Sequence, residues 1–130
     1  MAIETRPLRP SFGAEVVGID LNEDLDHDTF AAIHQAFLDY QVLIFRRQNL
    51  NPGAHVAFAR RFGEVQVHVL NQYHADSHPE LFFLSNLDEN GQPNGRHPDL
   101  GTLEWHTDGS WQRMTGQATM IYAIEVPMTG

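Results

Sequence analysis

Trp105-His106-Thr107-Asp108-Gly109-Ser110-Trp111, running on into the apolar segment Ala118-Thr-Met-Ile-Tyr-Ala-Ile-Glu-Val126, is where fold and chemistry are read together. Residues 118–126 are rich in apolar, β-branched and aromatic side chains, which predicts a strand. If 105–111 is also extended, His106 and Asp108 share one face and Thr107 takes the other. Their Cα atoms are then roughly 6.5–7 Å apart. The side-chain tips can converge on a single metal ion.

The spacing alone is not specific. Four pairs fit His-x-Asp/Glu: His74/Asp76, His78/Glu80, His97/Asp99 and His106/Asp108. Eight His and 17 acidic residues make chance pairs unavoidable. His78/Glu80 and His97/Asp99 each enclose a Pro in segments that read as loops, and His74/Asp76 lies in a turn-like stretch. His106/Asp108 alone lies between two Trp and leads into a strong strand candidate. A metal site needs a dry, rigid surround, and Trp105 and Trp111 are expected to give it. A solvated loop His beside a capping Asp is the plainer alternative. One imidazole and one carboxylate are two of the three ligands in the facial triad of non-haem Fe(II) oxygenases. No His follows Asp108, so the expectation is a sequence that stops before the site is complete.

Upstream, Ala14–Leu21 reads as a strand after a turn at Gly13. Asp26 is the predicted N-cap of a helix, with Leu25 and Phe30 as a staple across it. Phe30, Ile33, Phe37 and Leu38 form its expected buried stripe, and Tyr40-Gln41 its end. Val42–Phe45 is a continuous apolar run, expected to be a buried central strand. Asn51-Pro52 reads as N-cap and first residue of a second helix, which Gly63 stops. Val65–Leu70 alternates as a strand with His68 on its polar face. Leu81–Leu84 is a short strand, and Asp88–Gly101 a surface loop. The inventory is α+β with strands dominant.

Composition narrows the class. A chain of 130 residues with 42% hydrophobic content is long enough for a real core. No apolar run is long enough to span a membrane, and the N-terminus lacks a signal-peptide core. Cys is absent. That excludes disulfides and thiolate metal sites, and it fits a cytoplasmic location. A net charge of −9 argues against nucleic-acid binding, while a local Arg can still attract a small anionic substrate. Homo-oligomerisation is left open.

Five segments, in order, resemble the TauD/TfdA family of Fe(II)/2-oxoglutarate-dependent dioxygenases. They are Gly13-Ala-Glu-Val-Val-Gly-Ile-Asp-Leu21, Gln41-Val-Leu-Ile-Phe-Arg46, Phe58-Ala-Arg-Arg-Phe-Gly-Glu64, Trp105-His-Thr-Asp108 and Tyr122-Ala-Ile-Glu-Val-Pro127. The resemblance implies a partial double-stranded β-helix (a clavaminate synthase-like jelly roll) with N-terminal helices. Residues 1–130 would be the N-terminal part of one such domain. It implies Fe(II) held by His106 and Asp108, with 2-oxoglutarate and O2 as cosubstrates and a small-molecule substrate. The family's second His and its 2-oxoglutarate-gripping Arg come later and have no counterpart here. By position, His68, Gly109 and Trp111 correspond to substrate-side residues and Thr102 to a cofactor-pocket Asn. Asn71 stands where taurine-type members carry a substrate-contacting Tyr. The departures at 102 and 71 speak against taurine as the substrate.

Two other classes stand beside the dioxygenase. One is a non-catalytic metal-binding jelly-roll module; the other is an inactive partial gene product. A zinc hydrolase is weaker, because such sites use three protein ligands plus water.

Overall fold

The structure, a computed structural model, describes residues 3–67, 74, 75, 77–95 and 103–128. They fall into two compact units, residues 1–62 and 63–130.

The first unit begins with a hairpin that the sequence reading missed. β1 (Glu4–Arg9) and β2 (Phe12–Val17) pair antiparallel from Glu4↔Val17 to Arg9↔Phe12, around Pro10-Ser11. β1 is polar and contains Pro7, which hides it from a hydrophobic-pattern reading. As an edge strand it tolerates a Pro on its open side. Ala14 and Val16 of β2 point inward and are buried. Gly13 sits at φ +75, and a β-carbon there would crowd Leu8 Cδ1 at 3.3 Å.

α1 (His27–Tyr40) then crosses over to β3 (Leu43–Phe45), which pairs parallel with β2. A parallel pair needs such a crossover. Both predicted ends of α1 are in place. Asp26 Oδ1 accepts from Thr29 N–H at 2.7 Å. Gln41 turns left-handed at φ 63 and donates its N–H to Phe37 O at 2.8 Å. The stripe on α1 is shifted from expectation: Ile33 (0% exposed) and Ala36 are buried, whereas Leu38 is exposed. β3 is also not central in the sheet that the described residues form. Among the described residues the strand order is β1-β2-β3, so β3 is an edge there and only half-buried.

α2 (Pro52–Arg60) starts where Asn51 Oδ1 accepts from Ala54 N–H at 2.9 Å. Phe58 of α2 and Phe62 meet Phe30, Phe37 and Phe45 edge-on, with centroids 5.1–6.2 Å apart. Gln48 ties the loops together. Its amide accepts from Leu21 N–H and donates to Ile19 O, both at 2.9 Å.

Among its described residues the second unit holds one short ladder, β4 (His74–Ala75) against β5 (His78–Phe82). His78 and Glu80 therefore lie in a strand, not in the expected loop, with Pro79 tolerated in a two-stranded ribbon. Asp88 organises the next turn, accepting from Asn90 N–H at 2.8 Å and Gln92 N–H at 2.9 Å. Two expected strands, at 105–111 and 118–126, are not formed among the described residues, and of a third, Val65–Leu70, only residues 65–67 are described. Residues 65–67, 105–107 and 118–126 have no ladder partner among the described residues. A strand exists through the neighbour that satisfies its N–H and C=O groups, and alternation cannot provide one. Helix and strand consequently share the described residues about evenly, rather than strands dominating.

Candidate metal centre

His106 and Asp108 do meet. His106 Nε2 lies 3.1 Å from Asp108 Oδ1. The convergence does not come from a shared strand face. The chain enters a turn at Asp108, closed by Gln112 N–H donating to Gly109 O at 2.9 Å. Gly109 makes this turn at φ +63, a conformation that costs a β-carbon-bearing residue roughly 1–2 kcal/mol.

The other ring nitrogen settles the tautomer. His106 Nδ1 lies 2.8 Å from Glu104 O. A carbonyl only accepts, so Nδ1 carries the proton. In the neutral ring Nε2 then presents a lone pair to a carboxylate oxygen that also presents lone pairs. Such a contact is favourable with a cation at it, either a second ring proton or a metal ion. The separation suits a ring proton donated to the carboxylate, and it also suits a metal. Adjacent donors on an octahedral ion with bonds of about 2.1 Å stand about 3 Å apart. The second carboxylate oxygen is held from outside: Thr119 Oγ1 donates to Asp108 Oδ2 at 2.9 Å. The pair thus fits an octahedral first-row ion in donor type and separation, with both outer atoms engaged.

The expected dry surround is absent. Trp105 is fully exposed and Trp111 is 74% exposed. The side chains of His106 and Asp108 are 45% and 62% exposed. The physical reason is that, among the described residues, no ladder forms around 103–128 for the indoles to pack on. No group of three His, Cys, Asp or Glu gathers among the described residues. Gly109 is half-buried, with Gln66 Oε1 at 3.8 Å from where a β-carbon would stand. His68, Asn71 and Thr102 lie outside the described residues. Sequence reasoning missed Glu104 O and Thr119. A backbone carbonyl has no side-chain signal, but a lone hydroxyl opening the apolar run at 118–126 was legible.

A family model described as taurine catabolism dioxygenase TauD, TfdA family matches residues 4–130. The chain belongs to this family. A TauD/TfdA relative, the alpha-ketoglutarate-dependent 2,4-dichlorophenoxyacetate dioxygenase of Cupriavidus pinatubonensis, is 30% identical over 100% of this chain and 48% of its own length. Pentalenolactone F synthase of Streptomyces avermitilis is 34% identical over 97% of this chain and 42% of its own. A crystal structure of a taurine dioxygenase from Burkholderia xenovorans superposes with a TM-score of 0.55 at 39% identity, covering 61% of this chain and 27% of that one. The chain spans less than half the length of each of these proteins. The resemblance drawn from five short segments is therefore upheld along nearly the whole chain.

Proposed function

We propose that this chain carries the first two metal ligands of an Fe(II)- and 2-oxoglutarate-dependent dioxygenase that hydroxylates a small anionic organic substrate, releasing succinate and CO2. The observation that carries the reading is the 3.1 Å approach of His106 Nε2 to Asp108 Oδ1 in a chain of this family. When bound, ferrous iron with 2-oxoglutarate and O2 supplies the oxidative chemistry, which belongs to metal and cosubstrate rather than to the protein.

The residues of the chain hold and orient. The neutral His106 ring offers Nε2 rather than Nδ1, because its Nδ1–H is engaged by Glu104 O. Asp108 offers one oxygen and a negative charge that offsets the metal's. Gly109 lets the backbone turn directly beyond the carboxylate. His68, Gly109 and Trp111 are assigned to the substrate side and Thr102 to the 2-oxoglutarate side, by correspondence with the family. The third protein ligand and the 2-oxoglutarate arginine are assigned to polypeptide matching the uncovered part of the relatives. In this reading residues 1–130 are the N-terminal part of a double-stranded β-helix domain. An anionic substrate is supported by the relative named for 2,4-dichlorophenoxyacetate.

Succinate release from 2-oxoglutarate by the full protein, with a panel of small sulfonates, sulfate esters and aryloxyalkanoates, tests this. Substrate-stimulated succinate with at least one of these acids is expected. No succinate from iron-loaded protein with any of them would contradict the assignment.

A further inference from the structure

We infer that Thr119 is a positioning residue for the metal centre, holding Asp108 so that one carboxylate oxygen alone faces the ion. The inference rests on the reading of His106 and Asp108 as metal ligands and goes beyond it.

The geometry is specific. Thr119 Oγ1 donates to Asp108 Oδ2 at 2.9 Å. The other oxygen, Oδ1, is the one that meets His106 Nε2 at 3.1 Å. The carboxylate is therefore divided: one oxygen outward to a hydroxyl, one inward to the imidazole. Glu104 O does the same for His106, taking Nδ1–H at 2.8 Å and leaving Nε2 inward. Each ligand has its far atom engaged and its near atom presented. Partners of this kind orient ligands and are worth about 10–100-fold in metal affinity.

The consequence concerns coordination number. A carboxylate free to rotate can place both oxygens on a metal ion, as carboxylates do on calcium. That would occupy a position which a facial triad leaves open for exogenous ligands. The Thr119 hydroxyl opposes the rotation, since turning Oδ2 inward breaks its hydrogen bond. It also fastens the apolar segment 118–126 to the metal turn, across 11 positions of sequence.

Thr119 is exposed, so its replacement leaves the core intact. Thr119→Val keeps the shape and removes the donor; Thr119→Ser keeps the donor. Co(II) is titrated into the full protein, and its ligand-field spectrum recorded at saturation, for the unaltered protein, both variants and Asp108→Ala. Expected is a ~10–100-fold weaker affinity for Thr119→Val, with altered band intensities, and recovery of both in Thr119→Ser. Unchanged affinity or an unchanged spectrum in Thr119→Val overturns the inference. So does a Ser variant as weak as the Val variant. The Asp108→Ala arm separates two failures. If it loses Co(II) while Thr119→Val does not, the positioning role falls and the ligand assignment stands. If Asp108→Ala binds normally, both fall.

Discussion

At the scale of single residues, the candidate centre depends on where four atoms point. His106 Nδ1 and Asp108 Oδ2 point outward to Glu104 O and Thr119 Oγ1; Nε2 and Oδ1 point at each other. Protons compete with a metal for the Nε2 lone pair, so metal affinity should fall on acidification. A Mn(II) titration repeated at descending pH should show this, and a pH-independent affinity would argue against an imidazole ligand. Gly109 sets the turn beyond the carboxylate. Gly109→Ala should weaken Mn(II) binding through backbone strain of roughly 1–2 kcal/mol. Crowding is not the cause, because Gln66 and Gln112 are 3.8 and 3.9 Å away. Gly109→Asn should lose less, since Asn visits the left-handed region more easily. Equal losses in both variants would point to sterics instead. That His106 and Asp108 meet was legible because side chains two positions apart are near neighbours. The outer contacts were less so, since one is a main-chain carbonyl.

At the scale of elements, the helices were read well and the strands poorly. Asp26 and Asn51 announce helix starts through side chains that bond to the next turn, which is local chemistry. Strands depend on remote partners. β1 was missed because Pro7 and its charged residues disguise it. Residues 118–126 were over-read because a favourable pattern says nothing of an available neighbour. Ile33 is the fully buried side chain of α1. Ile33→Ala should cost about 2–5 kcal/mol in chemical denaturation, whereas Leu38→Ala, on the exposed side, should cost little; equal costs would refute the observed packing of α1. Two groups give this unit a pH dependence. The Thr29 backbone N–H holds the Asp26 carboxyl below its ordinary value, and burial pushes the His55 imidazole below its ordinary 6.5. In both cases the unfolded chain binds protons more readily, so stability rises with pH. The His55 contribution is complete above 6.5 and is lost as pH falls through its lowered value; Asp26 follows in the more acidic carboxylate range. Denaturation midpoints should decline on acidification below 6.5. His55→Gln should flatten the first part of the decline, and an unaltered slope would show that another group governs it.

At the scale of the whole molecule, charge and apolar exposure oppose each other. A net charge of −9 favours solubility. Ile121, Ile124, Val126 and Met128 are nevertheless between 66% and 100% exposed, close together in sequence. An exposed apolar segment of this kind is an aggregation hazard. The isolated 130-residue chain should therefore associate as concentration and salt rise, in light scattering. Ile121→Lys with Ile124→Lys should suppress the association; a persistent effect would place the cause elsewhere. The same segment contains Thr119, so a stretch with several exposed apolar side chains also contacts the proposed metal ligand.

The central claim is that one imidazole and one carboxylate share a ferrous ion. Anaerobic Fe(II) titration of the full protein beside its His106→Ala and Asp108→Ala variants tests it most directly. Saturable binding at one site, lost or greatly weakened in each variant while the fold is retained by circular dichroism, is the predicted result. Iron bound with unchanged affinity by either variant would contradict it.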